Sequence, residues 1–460
     1  MNLPSYNPIA LPELREMLAE GDSDALRSVL EELHPATIAE FSEGLEPQET
    51  WQLLEHAPVE RQAEIFTYYP MAKQIELVRA GGRDRISRLL EEMPPDDRVD
   101  LLQELDDETV NDLLPLIAKA ERHDIRQLLS YEEDTAGSEM TTEYAWLPEE
   151  ITVSEAITRL RQQAPDSETI YYIYVVDKER RLVGVVSLRD LILARPDALI
   201  QDIMHRDPVA VKVTDDREHV AQELAKYNFI AIPVVDERYR LVGIVTYDDA
   251  MDVVIEEATE DALRMGAVGT MDESILDAPF ATVWRKRAVW LSFLFVAELM
   301  TFAAMAHFKG AMDKVLALTF FVPLCISTGG LSGAQAATLI TRAVALGHIQ
   351  PKDWWRVMSH ELAMGVVLGL SLGIIGFIQV AVTPAEWLDL QEGQRWLLAA
   401  TVSSSVLFIC LWGTLVGSLM PLIFQRFGVD PGYASSPFVA TFVDVTGIII
   451  FFTIAQWILL

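Results

Sequence analysis

Carboxylates recur at helical spacing just after residue 247, in a segment predicted to form one helix from Asp248 to about Val268. Spacings of three and four residues define an acidic stripe made by Asp249, Asp252, Glu256 and Glu260, with Glu257 and Asp261 beside it. Like charges at these spacings destabilise a bare helix, and carboxylate oxygens are ligands for hard cations such as Mg²⁺ and Ca²⁺. We therefore expect a bound cation or a basic partner on the stripe. An ordinary solvated helix face is the alternative.

Three acidic residues lie inside apolar segments, where an ionisable group is costly and by default marks a function. Asp444 lies in the last segment, near Pro437 and Gly447, which permit local backbone irregularity and close helix approach. Two copies of Asp444 across a dimer axis would hold a Mg²⁺ ion that keeps most of its water. A hydrogen bond to a neighbouring hydroxyl is the alternative. For Glu298 and Glu361, pairing with a basic residue or a hydroxyl is an equal explanation.

A glycine-rich stretch in the second apolar segment offers a different kind of ligand. Thr328, Gly329 and Gly330 are predicted to form a turn. Non-helical backbone is tolerated at membrane depth only where it is buried in protein or lines a water-filled cavity. The carbonyl groups of this turn would then add oxygen ligands to the path that Asp444 marks.

The distribution of charge divides the chain in two. The sequence has 69 acidic and 36 basic residues, a net charge of −33, yet only nine acidic and ten basic residues follow residue 280. A compact domain with so much like charge repels itself unless counter-ions join it. The nearly neutral part contains five apolar runs long enough to cross a bilayer. They are 288–308, 314–340, 357–382, 396–424 and 435–460.

Basic residues flank these runs on alternate sides. The triplet 285–287 precedes the first run, three more basic residues lie between the second and third, and Arg426 lies between the fourth and fifth. The positive-inside rule then predicts an inner (plasma) membrane protein with a cytoplasmic amino terminus and a periplasmic or extracellular carboxyl terminus. We expect no cleavable signal, and the two cysteines, Cys325 and Cys410, permit no disulfide framework.

The acidic part shows two kinds of pattern. Up to about residue 130, Leu and Ile recur at helical spacing, and Pro or an acidic cluster interrupts them every ten to twenty residues. Degenerate repeats such as LRSVLEELHP and ISRLLEEMPP predict a small superhelical stack of helices, with an irregular bundle as the alternative. After about residue 140 the pattern changes to alternating strands and helices. The segment 172–190 then repeats at 231–249, with Gly184 and Gly243 at matching positions.

The repeat resembles a tandem pair of cystathionine-β-synthase (CBS) domains, and the expected fold class is a multidomain membrane protein. It combines an all-α superhelical domain, an α/β CBS pair, a long connecting helix and a five-helix transmembrane domain. The predicted boundaries are 1–132 for the acidic helical domain, 133–247 for the CBS pair (about 138–199 and 200–247), 248–280 for the connecting helix and 281–460 for the transmembrane domain.

Over its whole length the chain resembles the MgtE-type magnesium channels. The stretches that carry the resemblance are YEEDTAGSEMT (131–141), ETIYYIYVVD (168–177), ATEDALRMGAV (258–268), STGGLSGAQAATLI (327–340) and PFVATFVDVTG (437–447). The resemblance implies a homodimer in the lipid bilayer, with a pore between subunits for divalent cations and a cytosolic Mg²⁺ sensor. High cytosolic Mg²⁺ would bridge the carboxylates, draw the soluble domains together and plug the pore with the connecting helices.

The resemblance also assigns residues. The pore metal site falls on Asp444, which matches the ion-selecting aspartate of the family. Pore-lining candidates are Gly329, Gly330, Gln335, Pro437, Ala440, Thr441 and Gly447. Cytosolic sensor positions are Glu64, Asp96, Asp100, Asp216, Glu218, Asp249, Asp252, Glu257, Glu260 and Asp261. For the CBS cleft, ATP or another adenine nucleotide would contact Tyr172, Ser187, Arg189, Asp190, Phe229, Ile230 and Ala231. The alternative is a CBS pair that is purely a structural hinge.

Departures from the family pattern leave the transported ion open. Leu331 and Thr414 replace asparagines that are usual in the family, and Asn228 stands where a carboxylate can occur. The leading hypothesis is a Mg²⁺-permeable channel or transporter closed by cytosolic Mg²⁺. The alternatives are a transporter of another divalent cation, such as Co²⁺ or Mn²⁺, and a membrane-anchored cation or nucleotide sensor without a pore. No nucleophile–base pair or phosphate-cradling glycine motif indicates an enzyme, and no nucleic-acid partner is expected.

Overall fold

The computed structural model describes residues 11–271, 278–388 and 393–460. These residues form two units, of which the first ends at Ile255 and the second runs over Glu256–Leu460. The first unit begins with ten short helices. They are α1 (Leu11–Glu20), α2 (Ser23–Glu32), α3 (Pro35–Ser42), α4 (Pro47–Leu54), α5 (Val59–Thr67), α6 (Met71–Ala80), α7 (Arg83–Glu92), α8 (Pro95–Glu104), α9 (Asp107–Leu113) and α10 (Lys119–Leu128).

Helix ends in this region follow from capping residues and prolines. Proline occupies the first turn of α3, α4 and α8, where its missing N–H breaks no helical hydrogen bond. Asp22 and Asp106 cap α2 and α9 by accepting hydrogen bonds from backbone N–H groups. Each helix from α3 to α8 packs against the second helix after it, so α3, α5, α7 and α9 form one row and α4, α6, α8 and α10 another. This is the predicted superhelical stack.

The rest of the first unit is the α/β repeat. Its strands are β1 (Tyr144–Pro148), β2 (Thr169–Val176), β3 (Leu182–Ser187), β4 (His205–Arg206), β5 (Val211–Lys212), β6 (Ala231–Val235) and β7 (Leu241–Thr246). Its helices are α11 (Val153–Gln163), α12 (Leu188–Leu193), α13 (Ile200–Ile203) and α14 (Arg217–Tyr227), and α15 (Tyr247–Met265) follows. Two sheets result, in the orders β1-β2-β3-β4 and β5-β6-β7.

The two copies have the same strand pairing. In the first sheet β1 is parallel to β2, and antiparallel β2 and β3 pair Tyr172 with Ser187. In the second, β5 is parallel to β6, and antiparallel β6 and β7 pair Ala231 with Thr246. The repeat predicted from sequence is therefore also a repeat of register.

The matching glycines, Gly184 and Gly243, have a common packing role. A Cβ on Gly184 would lie 2.6 Å from the sulfur of Met204, and one on Gly243 would lie 2.5 Å from that of Met140. Both distances are too short for real contacts, so each strand needs glycine where a methionine covers it. Thr141 also exchanges backbone hydrogen bonds with Ile244, so the chain ahead of the first copy extends the sheet of the second.

Among its residues that the structure describes, the second unit contains five helices long and apolar enough to cross a membrane, by length and composition. These are α16 (Phe280–His307), α18 (Ala317–Ala345), α19 (Trp354–Val382), α21 (Gln394–Arg426) and α22 (Ser436–Ile458), with short α17 (Lys309–Lys314) and α20 (Ala385–Leu388) between them. α18 packs on α21 and α22, α19 packs on α21, and α16 packs on α22. With the superhelical domain and the CBS pair, these helices confirm the predicted fold class.

The backbone of the membrane helices differs from one expectation. The predicted turn at Thr328–Gly330 is wrong, because α18 is continuous there. Instead, a Cβ on Gly413 or Gly417 would overlap the backbone of Gly329 or Gly333, so these glycines let α18 and α21 cross at backbone contact.

The irregularity that Pro437 and Gly447 permit does not occur either. Pro437 lies in the first turn of α22, where proline fits a regular helix, and α22 continues through Gly447.

Candidate cation-binding sites

Helix α8 carries acidic residues to the CBS pair. Its Val99 is buried in the same apolar cluster as Met140, Ile232 and Val245 of the second CBS copy. Asp96 and Asp97 lie in the first turn of α8, where the helix dipole favours negative charge. Burial of Val99 thereby fixes the place of these carboxylates within the first unit.

The carboxylates that meet α8 come from two other elements. Asp248, Asp249 and Asp252 lie at the start of α15, and Glu168 directly precedes β2. The Thr246 hydroxyl donates a hydrogen bond to Asp249 and orients it. We call Asp96, Asp97, Glu168, Asp248, Asp249 and Asp252 the acidic cluster, because these groups act on one another electrostatically. Three of its members were predicted sensor positions, namely Asp96, Asp249 and Asp252.

The pKa values measure the mutual repulsion in the cluster. Desolvation, followed by the charge of Asp249, raises the pKa of Asp97 to about 7. The same two causes raise the pKa of Glu168 to about 7. Desolvation and the charge of Asp249 also hold the pKa of Asp96 well above its usual range. A cation placed among these groups would relieve the repulsion.

Asp96 provides a direct sign of a missing partner. Its Oδ1 atom is buried and accepts no hydrogen bond from the residues that the structure describes. An ionised carboxylate in that position is costly unless a cation or donor joins it. Among residues 11–271, 278–388 and 393–460, no three His, Cys, Asp or Glu side chains converge on one metal position. Mg²⁺ usually keeps several water ligands and is held by only one or two carboxylates.

Other predicted sensor residues have different partners. Glu64 forms an ion pair with Arg61 at 2.6 Å. Asp216 caps α14 by accepting a hydrogen bond from the Glu218 N–H at 2.9 Å, and the Glu218 carboxylate accepts one from Gln222 at 3.2 Å. Asp100 lies further along α8. The acidic cluster described above does not include these four sensor positions.

The remaining sensor positions lie at the end of α15, in the second unit. Arg264 forms ion pairs with Glu260 on its own helix and with Asp430 in the loop before α22, and its guanidinium lies 5.6 Å from the centre of the Tyr433 ring. Desolvation, followed by the charges of Asp430 and Glu257, raises the pKa of Asp261. The charges of Arg264 and Arg342 act in the opposite direction. Three predicted carboxylates thus lie near a fourth, Asp430, and near two basic residues.

Asp444 lies half-buried on α22, facing α18. A Cβ on Gly330 would lie 3.2 Å from its Oδ1 atom, so the absence of a side chain there leaves the carboxylate room. Other pore-lining candidates differ in exposure: Gln335 is exposed, Pro437, Ala440 and Thr441 are half-buried, and Gly329 and Gly447 are buried. Gly329 packs against α21, so its nearest neighbours are helix atoms rather than a channel.

Leu331 and Thr414, the two positions where the family usually has asparagine, differ in exposure. Leu331 is 65% exposed on α18, whereas Thr414 is buried and shares a 2.6 Å hydrogen bond with Ser332. Thr414 therefore joins α21 to α18. Glu361, for which pairing with a basic residue or a hydroxyl was an alternative to a functional role, has its Oε1 atom 3.0 Å from the Nδ1 atom of His360.

The nucleotide candidates gather at facing parts of the two CBS copies. The rings of Tyr172 and Phe229 meet edge-on with centroids 6.1 Å apart, and Ile230 is exposed. Ser187 caps α12, and its hydroxyl donates to Asp190 at 2.6 Å. An aromatic pair beside a capped helix start can accept a base and a polar group of a nucleotide.

The predicted site residues did not include five members of these sites: Asp97, Glu168, Asp248, Arg264 and Asp430. Asp97 adjoins Asp96, but adjacent residues on a helix point in different directions, so the pair gave no clear signal. Glu168 and Asp430 lie outside helices and strands, and Arg264 is a basic residue on an otherwise acidic helix. The run Pro94-Pro95-Asp96-Asp97 is the available signal, since prolines that begin a helix place both acids in its first turn.

The fold and these sites define a multi-pass membrane protein in which a carboxylate-rich first unit is followed by a helical bundle with a membrane aspartate. Family profiles described as a divalent cation transporter, an MgtE intracellular N domain and CBS domains match residues 322–454, 33–134, and 136–197 with 200–256.

Two relatives and one solved structure are similar over long stretches. The magnesium transporter MgtE of Thermus thermophilus is 40% identical over 97% of this chain and 98% of its own length. That of Bacillus subtilis is 31% identical over 95% of each. A crystal structure of the cytosolic domain of the Mg²⁺ channel MgtE in complex with ATP is 42% identical, with a TM-score of 0.51, over 53% of this chain and 99% of that one. The chain belongs to the MgtE family.

Proposed function

We propose that this protein moves Mg²⁺ into the cell across the inner membrane, and that Mg²⁺ bound to its own cytosolic carboxylates closes the path. The observation that carries the proposal is the pairing of two features in one chain: an acidic cluster with an orphan carboxylate oxygen, and a half-buried aspartate inside a membrane helix. The magnesium transporters to which the chain is similar support the choice of ion.

In this proposal Asp444 binds the permeating ion. A hydrated Mg²⁺ needs oxygen acceptors for its water ligands more than direct protein contacts. The carboxylate beside Gly330 supplies them, and a second copy of the chain would supply another across a dimer axis. The positive-inside pattern supports a cytoplasmic amino terminus. With that orientation, the acidic cluster and the carboxylates at the end of α15 would both meet cytosolic Mg²⁺.

Closure would follow from charge neutralisation. At low Mg²⁺ the acidic cluster repels itself and favours separation of α8 from α15. At high Mg²⁺ the cation joins the same groups and favours their contact. The carboxylates at the end of α15 and Asp430 would respond in the same way, which ties the connecting helix to the loop before α22. Nucleotide binding between Tyr172 and Phe229 would add a second input, as the ATP complex of the similar cytosolic domain suggests.

Ion flux in proteoliposomes tests the transport step. Purified full-length chain should take up Mg²⁺, and Asp444→Asn should abolish uptake while leaving Mg²⁺-induced protection of the soluble part from protease intact. Parallel assays with Co²⁺ and Mn²⁺ separate a magnesium path from a broader divalent path. Normal protease protection without uptake of any cation by the wild-type chain would instead favour a sensor without a pore.

Patch recordings test the gating step. Combined replacement of Glu257, Glu260 and Asp261 by the corresponding amides should weaken closure by millimolar cytosolic Mg²⁺, because the groups that bind the closing ion are gone. Glu76→Gln is the matched control, since Glu76 pairs with Lys73 at 3.2 Å and is not a predicted sensor position. Unchanged inhibition in the triple variant would contradict the role of these carboxylates.

A further inference from the structure

Glu298 is a membrane carboxylate to which the proposed function gives no role. It is half-buried on α16, the helix that packs on α22. Two aromatic contacts fix how these helices lie together. Trp290 meets Tyr433 with ring centroids 5.7 Å apart, and Phe308 meets Phe452 at 5.1 Å. Tyr433 lies just before α22, and Phe308 lies just after α16. The earlier residue of one segment meets the earlier residue of the other, and the later meets the later, so α16 and α22 run side by side in the same direction.

The two contacts also fix the depth of Glu298 relative to Asp444. Glu298 lies eight residues after Trp290, and Asp444 lies eleven after Tyr433. Counted from the other end, Glu298 precedes Phe308 by ten residues and Asp444 precedes Phe452 by eight. The second count, which lies almost wholly within helices, differs by two residues, or about 3 Å of helix rise. The first count differs by three residues and includes the turn before α22. The carboxyls therefore lie at nearly the same level.

At nearly the same level on neighbouring helices, the charge of Glu298 acts through space on an ion held at Asp444. Two ionised carboxylates at one depth of a bilayer repel each other and are costly, whereas a divalent cation at Asp444 is attracted by both. The second charge therefore favours a divalent ion over a monovalent one.

We propose that Glu298 is a positioning residue of the ion path, whose negative charge raises the affinity of the Asp444 site for Mg²⁺ and its preference for divalent ions. The inference rests on the proposed function, because it takes Asp444 as the ion site. For a separation on the order of 8 Å between the Glu298 charge and the ion, Coulomb's law with the dielectric constant of water gives a change in affinity of roughly fivefold. A less polar path makes the effect larger.

Mg²⁺ uptake by proteoliposomes of full-length Glu298→Gln is the first experiment. The half-saturating Mg²⁺ concentration should rise about fivefold or more, and Na⁺ should permeate more readily relative to Mg²⁺. Glu298→Asp should restore both properties, since it keeps the charge. Glu361→Gln is the matched control, because Glu361 lies beside His360 on α19, and its half-saturating concentration should stay at the wild-type value.

A second variant tests the charge itself and covers the case in which Glu298→Gln fails to fold. Glu298→Cys should respond to thiol reagents by sign: an anionic methanethiosulfonate should restore Mg²⁺ affinity, and a cationic one should lower it further. The wild-type chain, whose Cys325 and Cys410 are buried, is the reagent control. Equal effects of both reagents, or wild-type affinity and selectivity in Glu298→Gln, would overturn the inference. Uptake that survives in Asp444→Asn would instead refute the ion site on which it rests.

Discussion

Protons and Mg²⁺ should compete for the acidic cluster, which makes closure depend on pH. Asp97 and Glu168 both have a pKa raised to about 7, above the value of about 4 in an unfolded chain. The folded cluster therefore holds protons that the unfolded chain releases. Without Mg²⁺, its contribution to stability falls as the pH rises from about 4 through 7 and is recovered on acidification. Mg²⁺ prefers the ionised groups, so its affinity must change in the opposite direction.

The size of the effect follows from the two pKa values. A carboxyl of pKa about 7 is roughly 90% protonated at pH 6, half protonated at pH 7 and about 10% protonated at pH 8. If Mg²⁺ must displace the proton from one such group, its apparent affinity falls about tenfold between pH 8 and pH 6. If it must displace both protons, the fall is about 100-fold. Both side chains keep exposed surface, so solvent screening favours the lower figure.

Protection from trypsin measures this competition in the full-length chain. The Mg²⁺ concentration for half-maximal protection of the soluble part should be up to about tenfold higher at pH 6 than at pH 8. The double variant Asp97→Asn with Glu168→Gln should show a much shallower dependence, because two of the titrating groups are gone. Glu76→Gln, outside the cluster and paired with Lys73, should keep the wild-type slope. A wild-type midpoint no more sensitive to pH than that of the double variant would refute the reasoning.

Three further predictions concern packing and the nucleotide cleft. Arg98→Ala removes a buried side chain that pairs with the part-exposed Glu121 and donates a hydrogen bond to the Met93 carbonyl. The loss should destabilise the first unit by about 1–3 kcal/mol, seen as a lower melting temperature, and Arg98→Met should cost less. Gly413→Val should separate α21 from α18 at Gly329 and abolish the monodisperse peak of the protein in detergent gel filtration. Leu331→Val, on the exposed face of α18, is the control and should keep that peak. Tyr172→Ala should weaken binding of a fluorescent ATP analogue about tenfold or more, and absence of binding to the wild-type chain would indicate a purely structural CBS pair.

Local patterns in the sequence were sufficient for the architecture. Prolines in first turns and Leu at helical spacing predict the short helices of the stack, because both act within one or two turns. The repeat at 172–190 and 231–249 predicts two equal α/β copies, since the same side-chain pattern selects the same strand register. Apolar runs predict the membrane helices, because a bilayer demands about 20 apolar residues in a row. The acid at Asp444 was equally visible, since its cost depends only on that apolar setting.

Only the tertiary structure decided which charges meet. Asp97 and Glu168 join Asp249 because Val99 is buried against the second CBS copy, and no spacing along the chain encodes that contact. Likewise, two aromatic pairs bring Glu298 to the depth of Asp444. At Gly329 and Gly330 the local sequence predicted a turn, and that prediction was wrong. Both residues lie within α18, where Gly329 packs against α21 and Gly330 lies beside Asp444. The sequence by itself determines how many charged residues there are and where they lie along the chain. Which of them come together depends on long-range contacts, and the free energy of those contacts comes from apolar burial between distant elements.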